Sequence, residues 1–218
     1  MTEKPQVNYF ETRLKFDKKR TVLWKALWRF SLRSHLGNPE FLLELGAGRC
    51  ELINSASAKH RIAVDTWEGV ASSASSEVQA VVGSATNLGF LDSGVLDAVF
   101  ASNLFEHLTR KEFSITLDEV IRVLKPGGRL VLVQPNYRFS YKRYFDDYTH
   151  ISIWTHISLV DYLSSKGLEI GAVEKKFLPL TVKSRLPVSP ALIWLYLKSP
   201  IKPFAGQMLI MAQKPLNA

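Results

Sequence analysis

Phe41-Leu42-Leu43-Glu44-Leu45-Gly46-Ala47-Gly48-Arg49-Cys50 is the stretch on which the reading of this 218-residue chain turns. An apolar run this short, bounded by glycine, is too brief for a helix, so residues 41–45 read as a buried parallel strand. Gly46 and Gly48 let the backbone turn tightly and approach a ligand, and the segment from Glu51 to Ala58 is expected to open a helix behind them. A Gly-x-Gly by itself is a weak signal. Cys50 stands two residues after Gly48, and no Gly-x-x-Gly spacing completes a dinucleotide fingerprint. Glu44, one residue before the glycines, places a carboxylate where a sulfonium or amine is better received than a pyrophosphate.

Working outward, Arg61 to Asp65 is a second short strand closing in an acid about 20 residues after the glycine turn, the spacing at which a carboxylate meets ribose hydroxyls. Val78 to Val82 is a third apolar run and ends in Gly83-Ser84-Ala85. Val95 to Ala101 is a fourth, followed by Ser102-Asn103-Leu104-Phe105-Glu106-His107-Leu108. Glu112 to Leu124 carries Phe113, Leu117, Val120, Ile121 and Leu124 at amphipathic-helix spacing. Pro126-Gly127-Gly128 stops that helix, and Arg129 to Gln134 is a fifth strand. A helix over Thr155 to Lys166, a strand over Leu168 to Phe177 and a final strand over Gln207 to Gln213 complete the pattern.

From about residue 40 to the C-terminus the chain resembles the class I S-adenosylmethionine (SAM) dependent methyltransferases. The resemblance lies in the loop Glu44-Leu45-Gly46-Ala47-Gly48, in Asp65, and in Arg122-Val123-Leu124-Lys125-Pro126-Gly127-Gly128, similar to that family's R-x-L-K-P-G-G turn. It implies an α/β, Rossmann-like fold: a seven-stranded, mostly parallel sheet with helices on both faces, and SAM as cofactor. It also implies that Glu44, Leu45, Gly46, Ala47 and Gly48 lie along the methionine moiety, that Asp65 binds the ribose with Thr66 beside it, and that adenine lies near Ser84 and Ala85. Ser102 and Asn103 would face the sulfonium. The sequence departs from many relatives at Ser84, where they carry an acid for the adenine amino group; a serine hydroxyl or a backbone carbonyl remains as acceptor.

The sulfonium is already activated, so methyl transfer asks for in-line positioning and, for a hydroxyl or amine acceptor, removal of a proton. His107 is the first candidate base, since imidazole titrates near neutral pH; the alternative is that Glu106-His107-Leu108 merely starts a helix at the pocket rim. Some ubiquinone-biosynthesis O-methyltransferases, which this region resembles, hold magnesium through Glu-x-x-Glu-His. Asn103 replaces the first Glu here, so no metal is expected. The second candidate cluster follows the fifth strand, from Pro135 to His150, and gathers Tyr137, Tyr141, Tyr144, Tyr148, Asp146, Asp147 and His150 with Arg138, Lys142 and Arg143. Aromatic faces and carboxylates suit a sugar ring, and the cations suit a phosphate or carboxylate on the same acceptor. Asp147, Tyr148 and His150 are the residues expected to hold or deprotonate it; the competing reading is a helix cap plus ordinary core aromatics. The loop resembles the P-N-Y … Y-F-D-D-Y-T-H segment of bacterial methyltransferases associated with cell-surface glycan pathways.

Charge is unevenly placed. Residues 1–36 and 174–218 each carry +6, and the middle carries −4, giving the net +8. The basic flanks favour an anionic partner, whether phosphorylated glycan, lipid surface or nucleic acid; plain solubility explains them equally well. Residues 1–38 read as a basic amphipathic helical cap and 39–218 as the methyltransferase domain. In the cap, Phe16, Leu23, Leu27 and Phe30 share a face with Trp24 and Trp28 at its edge, the pattern of a lid or of a helix lying in a membrane interface. Ala191 to Leu197 is apolar all round and reads as a buried helix or a shallow membrane-facing patch. One cysteine excludes an internal disulfide and fits a reducing compartment; Cys50 reads as a packing residue. No apolar leader opens the chain and no run of about 18 apolar residues spans a bilayer, so the expected location is the cytoplasm, with peripheral contact at the inner membrane face as an option.

The expected function is SAM-dependent O-methylation of a small or glycan-type acceptor, free or lipid-linked. A nucleic-acid methyltransferase is the alternative that the basic flanks favour and the lack of an Asn/Asp-Pro-Pro-Tyr/Phe segment opposes. A non-catalytic SAM-binding regulatory or membrane-recruited module is the other.

Overall fold

The computed structural model describes residues 17–180 and 188–217. Its first helix, α1, is capped by the Asp17 carboxylate, which accepts the Lys19 N–H at 2.9 Å. α1 covers Lys18–Leu27, passes through a π-helical turn at Trp28–Leu32 and ends at Arg33–His35. Leu23, Leu27, Trp28 and Leu32 are buried, and the Trp28 indole N–H donates to Ser57 Oγ at 3.3 Å. Lys18, Lys25, Arg29 and Arg33 stay exposed. Phe16 lies outside the described residues.

The strands are β1 (Phe41–Leu45), β2 (His60–Asp65), β3 (Val78–Val82), β4 (Leu96–Ser102), β5 (Leu124–Pro135), β6 (Glu169–Glu174) and β7 (Gln207–Gln213). They form one sheet in the order β3-β2-β1-β4-β5-β7-β6. β1 to β5 run parallel, and β7 is antiparallel to both β5 and β6. The seven-stranded, mostly parallel sheet expected from the sequence is therefore present. Side chains alternate across it. Leu43, Leu45, Val64 and Leu132 pack on one face with Phe113, Leu117, Leu159 and Leu163. Leu42, Ala63, Phe100 and Val131 pack on the other with Leu27, Leu32 and Ile53.

The remaining helices are α2 (Val70–Ser73), α3 (Arg110–Val123), α4 (Tyr137–Ser140), α5 (His156–Ser165) and α6 (Pro190–Lys198). α3 begins two residues earlier than its apolar spacing suggests, because Thr109 and Glu112 form a reciprocal capping box. β5 begins immediately after α3, where Leu124 pairs with Leu96. Pro126-Gly127-Gly128 is thus an irregular step inside the strand rather than a spacer before it, and Gly128 has no room for a side chain: a Cβ there would meet the Lys125 carbonyl at 2.8 Å. β6 is shorter than the expected Leu168 to Phe177.

Two expectations are corrected. The helix expected from Glu51 to Ala58 does not form; a single 3₁₀ turn at Ile53–Ser55 takes its place. Asn54 is held there by its side chain, which donates to the Ser73 carbonyl at 2.9 Å and accepts the Ser75 N–H at 2.9 Å. Such side-chain bonds compete with helix. α1 covers the sheet face instead, so the N-terminal helix shares the core with the glycine-loop side of the sheet. The buried reading of Ala191 to Leu197 also fails: α6 contains no buried residue, and Leu192, Trp194 and Leu195 are exposed.

Candidate active site

Because β1 to β5 are parallel, their C-terminal ends bring five turns to one edge of the sheet: Gly46 to Gly48, Asp65 to Thr66, Gly83 to Ala85, Ser102 to Asn103, and the loop after Pro135. This is the edge at which open α/β sheets bind ligands. A hollow of about 390 Å³ lies at the opposite edge, between Asn38, Asp97, Lys125 and Arg129. Asp97 is already engaged there by Lys125 at 2.5 Å and by the N–H groups of Glu40 and Phe41, so that hollow carries none of the chemistry above.

At the glycine loop, Gly46 has φ +65, and a Cβ on it would come within 3.2 Å of Leu104 Cδ1. The position needs glycine on both counts. Leu45 and Ala47 are buried. Both oxygens of the buried Asp65 carboxylate brace the loop, one accepting the Gly48 N–H at 2.8 Å and the other the Trp67 N–H at 2.8 Å. Glu44 is buried and accepts the Ile53 N–H at 3.0 Å. Burial raises the Asp65 pKa. Burial first, and then the charges of Glu51 and Asp65, push Glu44 well above the usual carboxylate range. Arg20 reaches across from α1 and pairs with Glu51 at 2.8 Å. Three buried carboxylates thus converge on this loop with one arginine against them, and a ligand bearing positive charge would relieve their mutual repulsion. The residues fit SAM, whose sulfonium and amino groups supply that charge.

Thr66 is exposed beside Asp65. Ser84 is exposed with its hydroxyl 2.8 Å from Thr86 Oγ1, and Ala85 is buried. Asn103, at φ +49, donates through Nδ2 to Ser102 Oγ at 3.0 Å and accepts at Oδ1 from Gln207 Nε2 at 2.9 Å. The turn after β4 is thereby anchored to β7. The Cys50 thiol is buried, and burial pushes its pKa up to about 12, which removes it as a nucleophile at neutral pH.

The acceptor candidates, which the sequence presents as two rival clusters, form one. His107 Nδ1 lies 3.2 Å from the Thr149 carbonyl oxygen and 2.9 Å from Thr149 Oγ1. Its ring centroid stands 4.9 Å from that of His150. Thr149 donates to Asp147 through its N–H at 3.1 Å and its hydroxyl at 2.6 Å, and His150 Nδ1 lies 2.6 Å from the Tyr144 carbonyl oxygen. Burial first, then the neighbouring His150, lowers the His107 pKa. Burial works against Asp147, but the Thr149 hydrogen bonds hold its carboxyl below the usual range. Tyr148 points outward at 68% exposure, with Tyr141 and Phe145 also exposed. Arg138, Lys142 and Arg143 are exposed on the same loop.

A methyltransferase-domain family model matches residues 43–132, from the strand before the glycine loop to the strand after α3. Over these residues the chain is similar to methyltransferase domains, and its fold is that of SAM-dependent methyltransferases of known structure. A demethylmenaquinone methyltransferase from Mycolicibacterium gilvum is 36% identical over 130 residues. That match takes in 55% of each protein, so the chain spans about half the length of this curated relative. Among solved structures, a SAM-dependent methyltransferase from Archaeoglobus fulgidus superposes with a TM-score of 0.69 at 21% identity, covering 96% of this chain and 100% of that one. The Burkholderia thailandensis 1,6-didemethyltoxoflavin-N1-methyltransferase, with S-adenosylhomocysteine bound, gives 0.63 at 18% identity over 96% and 85% of the two chains. The Bradyrhizobium japonicum N-methyltransferase NodS, also with S-adenosylhomocysteine, gives 0.63 at 14% over 94% and 91%. At these identities the superpositions establish the fold of the domain.

Three structural features around the candidate site do not stand out in the sequence. Glu106 is fully buried near His107 and His150; an acid next to histidine after a strand was its only trace. Tyr144 is buried and donates its hydroxyl to the Ser152 carbonyl, and nothing local separates it from its exposed neighbours. The Arg20–Glu51 pair joins residues 31 apart, beyond the reach of any local pattern.

Proposed function

We propose that this protein transfers the methyl group of SAM to a hydroxyl on a small or glycan-type acceptor bearing negative charge. The observation that carries the reading is the junction of the turn after β4 with the loop after β5. His107 is positioned there by Thr149 beside the exposed ring of Tyr148, with Arg138, Lys142 and Arg143 on the same loop. Bound SAM supplies an activated methyl group. The chain's own residues have two tasks: Tyr148 and the cations hold the acceptor, and His107, kept neutral by its surroundings, takes the hydroxyl proton. Stacking on an aromatic face and charge-assisted bonds to an anion are the recognition chemistry of this loop.

A lipid-linked acceptor is favoured by a separate feature. Trp194, Leu195, Ile201 and Phe204 are exposed on and just after α6, Phe204 at 91%, and Lys198 is exposed beside them. An apolar surface with a lysine beside it suits an anionic bilayer, where a lipid-borne acceptor would be presented. Among the described residues no helix is long and apolar enough to cross a membrane. The test is transfer of radiolabelled methyl from SAM to water-soluble glycans, lipid-linked glycans, quinols and RNA. Labelling of an anionic glycan, enhanced by anionic vesicles for the lipid-linked form, supports the reading; labelling confined to RNA or to a quinol ring carbon overturns it.

A further inference from the structure

Glu106 is fully buried, and neither of its carboxylate oxygens has a hydrogen-bond partner. A carboxylate taken out of water without donors is costly unless a cation or a proton answers it. One ligand atom from each of Glu106, His107 and His150 lies within 4.8 Å of the other two. The histidines come from different segments, and each is held at Nδ1 by a backbone carbonyl, His107 by Thr149 and His150 by Tyr144. A carbonyl only accepts, so Nδ1 carries the proton and the lone pair of the neutral ring is on Nε2. Metal-bound histidines are oriented in this way.

We propose that Glu106, His107 and His150 form a binding site for a divalent transition ion of the zinc or manganese class. Two imidazoles and one carboxylate are a nitrogen-rich donor set that suits such ions, whereas magnesium and calcium prefer oxygen throughout. Bonds of about 2.0–2.1 Å at tetrahedral angles bring donors to roughly 3.3 Å from one another, so binding draws the three groups closer than their present spacing. The sequence expectation of no metal rested on Asn103 standing where a carboxylate ligand would be. The third ligand here comes instead from the loop after β5. Three protein ligands leave a coordination position open to water or to an acceptor oxygen. An ion held here takes the His107 lone pair that would otherwise accept the acceptor proton, so metal binding and proton removal by His107 exclude one another.

The site is tested on the full-length protein, stripped with a chelator and then titrated with Zn²⁺, with Co²⁺ followed by visible absorption, and with Mn²⁺ followed by electron paramagnetic resonance. The expected result is one ion per chain, and Glu106→Gln, His107→Gln and His150→Gln each weaken binding about tenfold or more. His150→Gln is decisive, because a Glu106–His107 pair alone would be indifferent to it. Zn²⁺-dependent protection of the His107 and His150 rings from diethylpyrocarbonate gives the same answer on the unaltered protein, should a variant not fold. Absence of Zn²⁺ binding tighter than millimolar, or binding that survives all three substitutions, overturns the site. Methyl transfer forms no part of the readout, so the outcome is distinct from that of the acceptor screen.

Discussion

His107 and His150 stand ring to ring, their centroids 4.9 Å apart, although one follows β4 and the other closes the loop after β5. The contact makes one site out of two sequence segments and divides the labour within it. On the function proposed above, His107, its pKa lowered by burial and by His150, would take the acceptor proton in the metal-free site, and Tyr148, at the surface, would hold the acceptor molecule.

His107→Gln is therefore expected to lower kcat by about 10²- to 10⁴-fold with SAM affinity retained, while Tyr148→Ala raises the acceptor KM and leaves kcat within a few-fold. The rate should rise with pH, with its midpoint below the ordinary imidazole pKa of about 6.5, because burial and His150 lower the His107 pKa. Steady-state kinetics across pH on both variants checks this. Full activity of a His107→Gln, His150→Gln double variant would remove histidine from proton transfer.

Glu106 sets a pH dependence of stability in the metal-free protein. Burial raises its pKa from 4.5 to about 8, so the folded state binds the proton more tightly than the unfolded chain. Its favourable contribution is complete below pH 4.5 and is lost as pH rises to about 8. Glu106→Gln keeps the shape and removes the ionisation. Thermal unfolding with chelator present should show the variant more stable than the parent at pH 8 by about 4 °C or more, and nearly equal at pH 5. Parallel pH profiles for the two proteins would contradict the assignment.

The N-terminal helix is expected to be part of the fold rather than a detachable arm. Leu27 is completely buried and packs in the cluster that holds Leu42, Ile53 and Phe100. Leu27→Ala should cost about 2–5 kcal/mol, seen as a lower midpoint in a single cooperative denaturant transition. An unchanged midpoint would show that residues beyond β1 fold without it.

The sheet was legible in the sequence because short apolar runs mark its strands. Phe41 to Leu45 and Val78 to Val82 were bounded to the residue by apolar runs ending in glycine. Asp65 and the glycine loop were legible because their chemistry is local. The region from Glu51 to Ala58 was misread because its conformation is decided by Asn54 reaching to Ser73 and Ser75, bonds made across chain distance. Ala191 to Leu197 was half misread: its apolar character shows in the sequence, but whether it faces core or solvent depends on what the sheet leaves uncovered. The joining of His107 to Thr149 and His150 follows from topology, since both segments leave the same sheet edge, and no spacing along the chain records it.

Calorimetric titration of SAM into the wild-type protein and into Asp65→Asn tests the central claim most directly. The wild type should bind one SAM per chain, more tightly as pH rises from 5 to 8, because Glu44 and Asp65 have raised pKa values and attract the cation only once ionised. Asp65→Asn loses the charge and weakens the brace on Gly48 and Trp67, and should cost about 1.5 to 3 kcal/mol, or at least tenfold in affinity. No binding to the wild type at millimolar SAM, or equal affinity in the variant, would contradict the account.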